Sequence, residues 1–208
     1  GLADRYEASR IFTVSALFGA LFNALFALGA EGLSSGLILR FAVGLSLAGV
    51  YPLGMKLVVS WAPERAGHAL AQLVGMLTLG TALPHGIRLA GADGAWQLTI
   101  LVSSLLAIVA AAMIWTLGDG PHLKRKPGST GLRLGQVLTA FRIPQFRASA
   151  LGYFGHMWEV YAFWTLAPAL IIASGLAQAN TPALSGIAFL VVGIGALSCM
   201  LGGLLSQR

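Results

Sequence analysis

Charge is scarce in this sequence, and the scarcity limits what the protein can be. Charged residues make up 10% of the 208 positions, whereas 57% are hydrophobic. The mean hydropathy of +0.80 agrees with that imbalance. A chain of this length has too little polar surface to cover a water-soluble domain, so the composition favours a protein embedded in a membrane.

Metal ligands and thiols are equally sparse. The one cysteine, Cys199, stands inside an apolar run, which excludes a disulfide framework and a thiolate metal site. The histidines fall in four different segments: His68, His85, His122 and His156. No H-E-x-x-H spacing occurs, so we predict no metal, no cofactor and no metalloenzyme activity.

The net charge of +6 is the feature that could suggest nucleic acid as a partner. The cations, however, stand at the ends of apolar runs, where anionic lipid headgroups are the simpler partner. We therefore expect the lipid bilayer and a small-molecule substrate as partners, and no nucleic acid.

Long apolar runs are what the sequence has in abundance. Six runs have membrane-spanning length: residues 11–30, 37–61, 68–87, 95–118, 148–174 and 184–206. About 20 helical residues at about 1.5 Å each cross a hydrocarbon core of about 30 Å. The sequence thus predicts an all-α fold, a polytopic transmembrane bundle with six spans.

Cationic residues concentrate between the fourth and fifth runs, in residues 119–147. Six of the thirteen lysines and arginines lie there: Lys124, Arg125, Lys126, Arg133, Arg142 and Arg147. By the positive-inside rule this segment is cytoplasmic, which fixes the direction of every span. The remaining loop cations agree, because they fall on the same side with the exception of Arg88: Arg5, Arg10, Arg65 and Arg208.

The same segment contains an apolar pattern at i, i+3, i+4 and i+7, formed by Leu134, Val137, Leu138 and Phe141. This spacing favours a short helix lying on the inner leaflet. A solvated linker is an equally good interpretation.

Small residues and prolines inside the spans indicate how the helices pack. Glycine and alanine recur at close spacings in the second and sixth runs: Gly44, Ala48, Gly49, Gly193, Gly195, Gly202 and Gly203. Such residues let helix backbones approach closely in a membrane. Pro52, Pro84 and Pro168 lie in mid-span and favour kinks.

Motifs at the two ends of the chain resemble a known family. Leu2-Ala3-Asp4-Arg5, with Arg10 after it, is similar to the loop motif G-x-L-a-D-R-x-G-x-R-R that joins the second and third helices of major facilitator superfamily transporters. Residues 203–208, which end in Gln207 and Arg208, resemble a weaker second copy. A repeat separated by nearly the whole chain is what the two-half architecture of that superfamily implies.

The second run adds a third match, since Leu37-x-x-Arg40-x-x-Val43-Gly44 resembles the fourth-helix pattern l-x-x-R-x-x-q-G. The resemblance implies that the six spans are helices three to eight of a twelve-helix transporter. Residues 1–118 then hold the last four helices of the N-terminal half, 119–147 the cytoplasmic linker, and 148–208 the first two helices of the C-terminal half. We expect the other helices of the same transporter as partners.

The chain also departs from the family's patterns. Glu7 occupies the glycine position of the loop motif and Ser9 one of its basic positions, which thins the charge network of the cytoplasmic gate. The third run contains Gly75, Gly80 and Pro84 but lacks the G-P-x-x-G-G pattern associated with proton-driven drug export. Substrate identity therefore does not follow from the resemblance.

Three ionisable residues stand within the predicted spans: Arg40, Lys56 and Glu159. A charge in the hydrocarbon is costly unless it faces water or a partner, so each is a functional candidate. Arg40 and Lys56 lie near span ends, and snorkelling to the headgroups is their alternative. Glu159 lies deeper, and its alternative is a structural hydrogen-bonded carboxyl. The resemblance implies that all three lie on cavity-lining helices, the fourth and the seventh.

His156, Glu159 and Phe163 share one helical face at i, i+3 and i+7, with Trp164 beside them. The predicted substrate and proton pathway comprises Arg40, Lys56, His156, Glu159 and Trp164. The predicted cytoplasmic gate motif comprises Asp4, Arg5, Arg10, Gln207 and Arg208.

These residues favour a secondary active transporter in a membrane, for which we expect a bacterial inner membrane. The cations favour a small organic or inorganic anion as substrate, and Glu159 favours proton coupling. Two alternatives stay open: an exporter of apolar or drug-like compounds, and a non-transporting membrane sensor on the same helices.

Overall fold

The computed structural model describes residues 6–90, 96–123 and 139–205. These ranges are helical and contain no strand. The helices are α1 (Ala8–Gly29), α2 (Leu33–Leu47), α3 (Tyr51–Trp61), α4 (Ala66–Leu89), α5 (Trp96–Leu117), α6 (Pro144–Ala173) and α7 (Pro182–Leu205). A single 3-10 turn, Pro63–Arg65, joins α3 to α4. The predicted all-α bundle is confirmed, and the six predicted runs agree with the helices to within a few residues at their ends.

Five of the six spans are long and apolar enough to cross a membrane by length and composition: α1, α2 with α3, α4 with the turn before it, α5, and α7. The remaining span, α6, is a continuous helix of 30 residues that carries more polar and aromatic side chains than the other spans. Its polarity indicates that one side of α6 faces something other than lipid tails.

The second predicted span is two helices rather than one. α2 ends at Leu47, a turn occupies residues 48–50, and α3 begins at Tyr51 with Pro52 in its first turn. Proline has no N–H, and its ring clashes with the carbonyl four residues back, so the helix breaks here. Gly49 allows Ser15 of α1 to approach the break closely, since a Cβ at Gly49 would lie 2.8 Å from the Ser15 Cβ. α4 and α6 run through Pro84 and Pro168 without interruption.

α4 and α7 form the most extensive helix pair in the described ranges, and they run antiparallel. Small residues line both sides of this α4–α7 seam: Ala71, Gly75, Ala82 and Gly86 on α4, and Gly186, Gly193, Ala196 and Gly203 on α7. A Cβ built on Gly75 would lie 3.0 Å from the Ala196 carbonyl oxygen, and one on Gly86 would lie 3.1 Å from the Phe189 ring. The helices therefore pack as close as their backbones allow.

The predicted role of glycine holds for this seam and for the contact of Gly49 with α1, but not for every glycine in the second and sixth runs. Gly193, Gly195 and Gly203 contact α4, as small residues in the sixth run predicted. Gly44 and Gly202 face open space within the described part of the protein. Composition identified the right helix, but the contact face depends on which side of the helix each glycine occupies.

α1 packs against α5 and α2, again through small residues. Its buried positions are Ala8, Ser9, Thr13, Ala16, Ala20 and Ala27. Large leucine, phenylalanine and tryptophan side chains point outward from the described helices. In a bilayer this arrangement costs little, because lipid tails solvate large apolar side chains as well as protein does.

The segment after α5, residues 118–123, packs against α3 and the start of α1. Gly120 lies against the backbone of Ser60, whose carbonyl accepts a hydrogen bond from the His122 N–H at 3.3 Å. Leu123 packs on a small cluster of Ala8, Leu53 and Leu57. Leu134, Val137 and Leu138, which we predicted on an interfacial helix, lie outside the described residues.

Candidate functional site

Arg40 is held at one end of the bundle by partners on α1. Its Nη1 donates a hydrogen bond to the Asn23 Oδ1 at 3.0 Å. Its guanidinium lies over the Phe26 ring, 3.8 Å from the ring centre. Both partners are neutral, and no carboxylate of the described residues pairs with Arg40. The described residues therefore hold the Arg40 guanidinium in position, but none of them supplies a negative charge to balance it.

Asn23 connects Arg40 to α5. Its Nδ2 lies 3.0 Å from the Oγ atoms of Ser103 and Ser104 and 3.2 Å from the Ile100 carbonyl oxygen. Arg40, Asn23 and the two serines each lie about 10 Å from the helix end on the predicted outer side, at about 1.5 Å per residue. Three helices thus meet in one polar cluster, which we call the Asn23 cluster: Asn23, Arg40, Ile100, Ser103 and Ser104.

Sequence reasoning missed Asn23 and Phe26. An amide carries no charge, so Asn23 does not stand out beside the ionisable residues of the spans. Asn23 was nevertheless detectable, because it is the most polar residue of run 11–30, which carries no charge. Phe26 had no comparable signal among many aromatics. Its ring also contacts Trp96 edge to face, with 5.7 Å between the ring centres, which fixes the surface on which Arg40 lies.

Lys56 lies far from Arg40. The two residues are separated by about 24 Å along the axis, if the short break is counted as helix. Lys56 lines a cavity of about 400 Å³ near the predicted cytoplasmic end, together with Ser60, Pro63 and His122. This position agrees with a lysine that reaches toward the headgroups, which was the alternative interpretation for Lys56.

The two faces of α6 are different. Tyr153 and Tyr161 come near Tyr51, the first residue of α3. Trp164 belongs to this side, since its ring packs edge to face on Tyr161 with 5.3 Å between centres. The aromatic face of α6, namely Tyr153, Tyr161 and Trp164, therefore lies toward Tyr51.

Glu159 lies on the other face of α6, and His156 lies between the two faces. At 100° per residue, Glu159 is about 120° around the helix from Tyr153 and about 160° from Tyr161, whereas Trp164 is about 20° from Tyr153 and His156 about 60°. Both His156 and Glu159 are exposed, and neither forms a hydrogen bond or ion pair with the described residues. His156 and Glu159 are one turn apart on α6, Trp164 lies on a different side of the helix from Glu159, and within the described residues neither Arg40 nor Lys56 contacts Glu159.

The cytoplasmic gate motif is described in part. Arg10 forms an ion pair with Glu7 and lies near the Trp115 ring, 6.0 Å from its centre. These residues border a cavity of about 420 Å³ together with Ser9 and Asp119. Glu7, at the motif's glycine position, thus supplies Arg10 with a local counter-charge. The other members of the predicted gate lie outside the described residues: Asp4, Arg5, Gln207 and Arg208.

Asp119 is a further residue that sequence reasoning missed. Its Oδ1 accepts the Ser9 N–H at 2.8 Å and its Oδ2 accepts the Ala8 N–H at 3.4 Å. The first N–H groups of a helix have no partner within the helix and carry partial positive charge, so a carboxylate stabilises them. The Asp119 carboxylate therefore joins the segment after α5 to the start of α1.

No three His, Cys, Asp or Glu side chains within the described ranges come together in the way that a metal site requires. The candidate site residues that the structure describes lie instead at three separate places: the Asn23 cluster, the part of α6 that carries His156 and Glu159, and the predicted cytoplasmic end.

Comparison with known proteins gives one match. The family model of the Major Facilitator Superfamily matches residues 1–208, the entire chain. No curated protein and no solved structure shows significant similarity to it.

Proposed function

The chain belongs to the Major Facilitator Superfamily, and from that premise we propose that it moves a small anion across the membrane. Members of the family are secondary transporters, and the apolar spans make this an integral membrane protein. Substrate class, coupling and membrane of residence are the parts we propose.

The uncompensated charge of Arg40 is the observation that favours an anion. An arginine within a transmembrane helix is costly in a bilayer, up to about 2.5–3.5 kcal/mol at the helix centre. Its partners in the described ranges, Asn23 and Phe26, are neutral. An anionic solute that binds the remaining guanidinium N–H groups would offset that cost, and the flat fork of donors matches an oxyanion.

We propose that the helices fall into two groups, residues 1–118 and 148–208, joined by the cytoplasmic segment 119–147. The α4–α7 seam would be the contact between the groups, and the aromatic face of α6 would oppose Tyr51 across the space between them. Alternating access requires such a pair of groups to rock around a site near the midplane. Further helices of the same transporter would cover the outward-facing side chains.

Glu159 is the proposed proton carrier. It is an exposed carboxyl in the middle of α6, without a counter-ion among the described residues, and intramembrane carboxyls of this kind occur in proton relays. His156, one turn away on α6, is placed to exchange a proton with it. We assign Arg40 and Lys56 no part in this step, since neither contacts Glu159 within the described residues.

The test is uptake by the intact transporter in proteoliposomes, with labelled nitrate, phosphate, acetate and succinate supplied one at a time. We expect saturable uptake of at least one of these anions, and a loss of at least tenfold in Arg40→Gln. Gly80→Ala, which changes an exposed position on α4 with open space around it, is the control. Uptake that is equal in wild type and Arg40→Gln contradicts the assignment of Arg40.

The aromatic face of α6 supports a second candidate, the export of apolar or drug-like compounds. Tyr51, Tyr161 and Trp164 form a surface that suits an apolar or aromatic solute. A competition experiment separates the two candidates. If an apolar compound leaves loaded vesicles at a rate that external anions do not change, the result favours an exporter of apolar compounds over an anion transporter. Absence of flux for both classes favours the membrane sensor.

We also propose a bacterial inner membrane and the orientation that the loop charges predict. Single cysteines in a Cys199→Ser background should react with an impermeant thiol reagent from outside at residues 31–36 and 175–183. Cysteines at residues 63–67 or 119–147 should stay unlabelled in sealed cells. Labelling of the central segment from outside contradicts this orientation.

A further inference from the structure

We propose that Asn23 determines the charge of the transported solute, because its neutral amide holds the Arg40 guanidinium in place without neutralising it. The inference rests on the anion transport proposed above and adds the residue that sets charge selectivity. Asn23 acts through Arg40, so it is a positioning residue and need not touch the solute.

The orientation of the Asn23 amide is fixed from both sides. The Ile100 carbonyl can only accept a hydrogen bond, so the amide nitrogen must face it, at 3.2 Å. Arg40 can only donate, so the amide oxygen must face Arg40, at 3.0 Å. A flipped amide would oppose like groups at both contacts, which leaves a single orientation.

The serines reinforce this polarity. The Ser103 and Ser104 hydroxyls donate to the Ile100 carbonyl at 2.7 and 3.0 Å, so their lone pairs are available to the Asn23 N–H groups. Every hydrogen bond from Arg40 through Asn23 to Ile100 therefore runs in one direction. Chains of this kind strengthen each acceptor, and the Asn23 oxygen holds the guanidinium without carrying a charge.

The position of Arg40 leaves donors for a ligand. Asn23 takes one guanidinium N–H, and Phe26 covers a flat face of the group at 3.8 Å. The described residues accept none of its other N–H bonds. The Arg40 side chain is exposed on the surface of the described helices, so those donors are accessible. The ligand that completes this arrangement is a small oxyanion whose charge balances that of Arg40.

Aspartate has nearly the same shape as asparagine, but at position 23 it would weaken the binding of an anion. Its carboxylate would accept the same Arg40 N–H and supply the negative charge internally, so the oxyanion would lose its electrostatic advantage. A purely structural role for Asn23 predicts another result, because aspartate would hold Arg40 at least as firmly and leave anion binding intact.

The experiment measures thermal stabilisation of the intact transporter in detergent by sodium nitrate, phosphate, acetate and succinate, since a ligand of the folded state raises Tm with its concentration. We expect wild type to be stabilised by at least one anion. Asn23→Asp should fold and bind that anion at least tenfold more weakly. Asn23→Ser, which is neutral, should lose less than threefold. A wild-type affinity in Asn23→Asp, or equal losses in both variants, overturns the inference.

A second pair of variants places the charge elsewhere, in case Asn23→Asp does not fold. Phe26→Glu brings a carboxylate to the ring side of Arg40, and Phe26→Gln is its neutral match. We expect the Glu variant to bind the anion at least tenfold more weakly than the Gln variant, and equal affinities overturn the inference. If no anion stabilises wild type, the anion proposal itself fails. If wild type responds and Asn23→Asp responds equally, only the role of Asn23 fails.

Discussion

Alanine at Gly75 and at Gly80 should have opposite effects on stability. Both glycines lie on α4 and lose the same backbone freedom on folding, so alanine favours the helix by about 0.8–1.0 kcal/mol at either position. Within the described residues Gly80 has open space around its Cβ position, whereas a Cβ on Gly75 would meet α7. The pair isolates the close approach of α4 and α7 from helix propensity.

The magnitude follows from the contacts at Gly75. A new Cβ would lie 3.0 Å from the Ala196 carbonyl oxygen and 3.0 Å from the Met200 Cγ, closer than the optimum of about 3.5–4.0 Å between carbon atoms. The Met200 side chain can move, but the carbonyl can retreat only with α7. Overpacking of this kind costs about 1–3 kcal/mol. After the propensity gain, Gly75→Ala should lose about 1 kcal/mol and Gly80→Ala should gain up to about 1 kcal/mol.

The assay is Tm of the purified intact transporter in one detergent, followed by tryptophan fluorescence. A difference of about 2 kcal/mol between the variants corresponds to at most about 4–8 °C, because a protein of about 150–250 residues shifts by about 2–4 °C per kcal/mol and a larger one shifts less. Gly75→Ala should melt below wild type and Gly80→Ala at or above it. Equal Tm values for the two variants would refute the close approach at Gly75.

Three further predictions concern the seam, the helix start and the carboxyl. Ala82→Cys with Gly193→Cys, in a Cys199→Ser background, should form a disulfide, because the two Cβ positions are 3.9 Å apart, within the range of about 3.5–4.5 Å for disulfides; failure to crosslink under oxidant on a denaturing gel would contradict the pairing. Asp119→Asn keeps an acceptor but removes the charge at the start of α1 and should lower stability by about 0.3–1 kcal/mol, seen as a lower Tm; an unchanged Tm would show that the charge contributes nothing. Glu159→Gln mimics the protonated carboxyl and should abolish proton-driven accumulation while sparing substrate exchange; survival of both activities would make Glu159 structural.

The seam disulfide also tests the proposed motion. If the two groups of helices rock against each other, oxidising the Ala82→Cys, Gly193→Cys pair should stop transport, and reduction should restore it. Transport that continues in fully oxidised protein would place the motion elsewhere in the transporter.

The sequence by itself determined where the chain is helical and to which family it belongs. A span is recognisable because crossing the hydrocarbon requires about 20 apolar residues in a row, which is a local property. The motif residues at the chain ends and around Arg40 identified the superfamily for a similar reason, since each motif is a short stretch. The predicted effect of mid-span prolines held only in part, because the helix breaks at Pro52 whereas α4 and α6 continue through Pro84 and Pro168.

The tertiary structure decided which side chains meet. Whether Arg40 faces Asn23, whether Glu159 lies beside Trp164 or opposite to it, and whether Gly75 rather than Gly80 contacts α7 all depend on the rotation of each helix about its axis. The hydrophobic pattern cannot set that rotation here, because the spans are apolar on all sides and lipid solvates every face equally well. Asp119 reaches the start of α1 across more than half of the chain, and only the packed helices bring those two segments together.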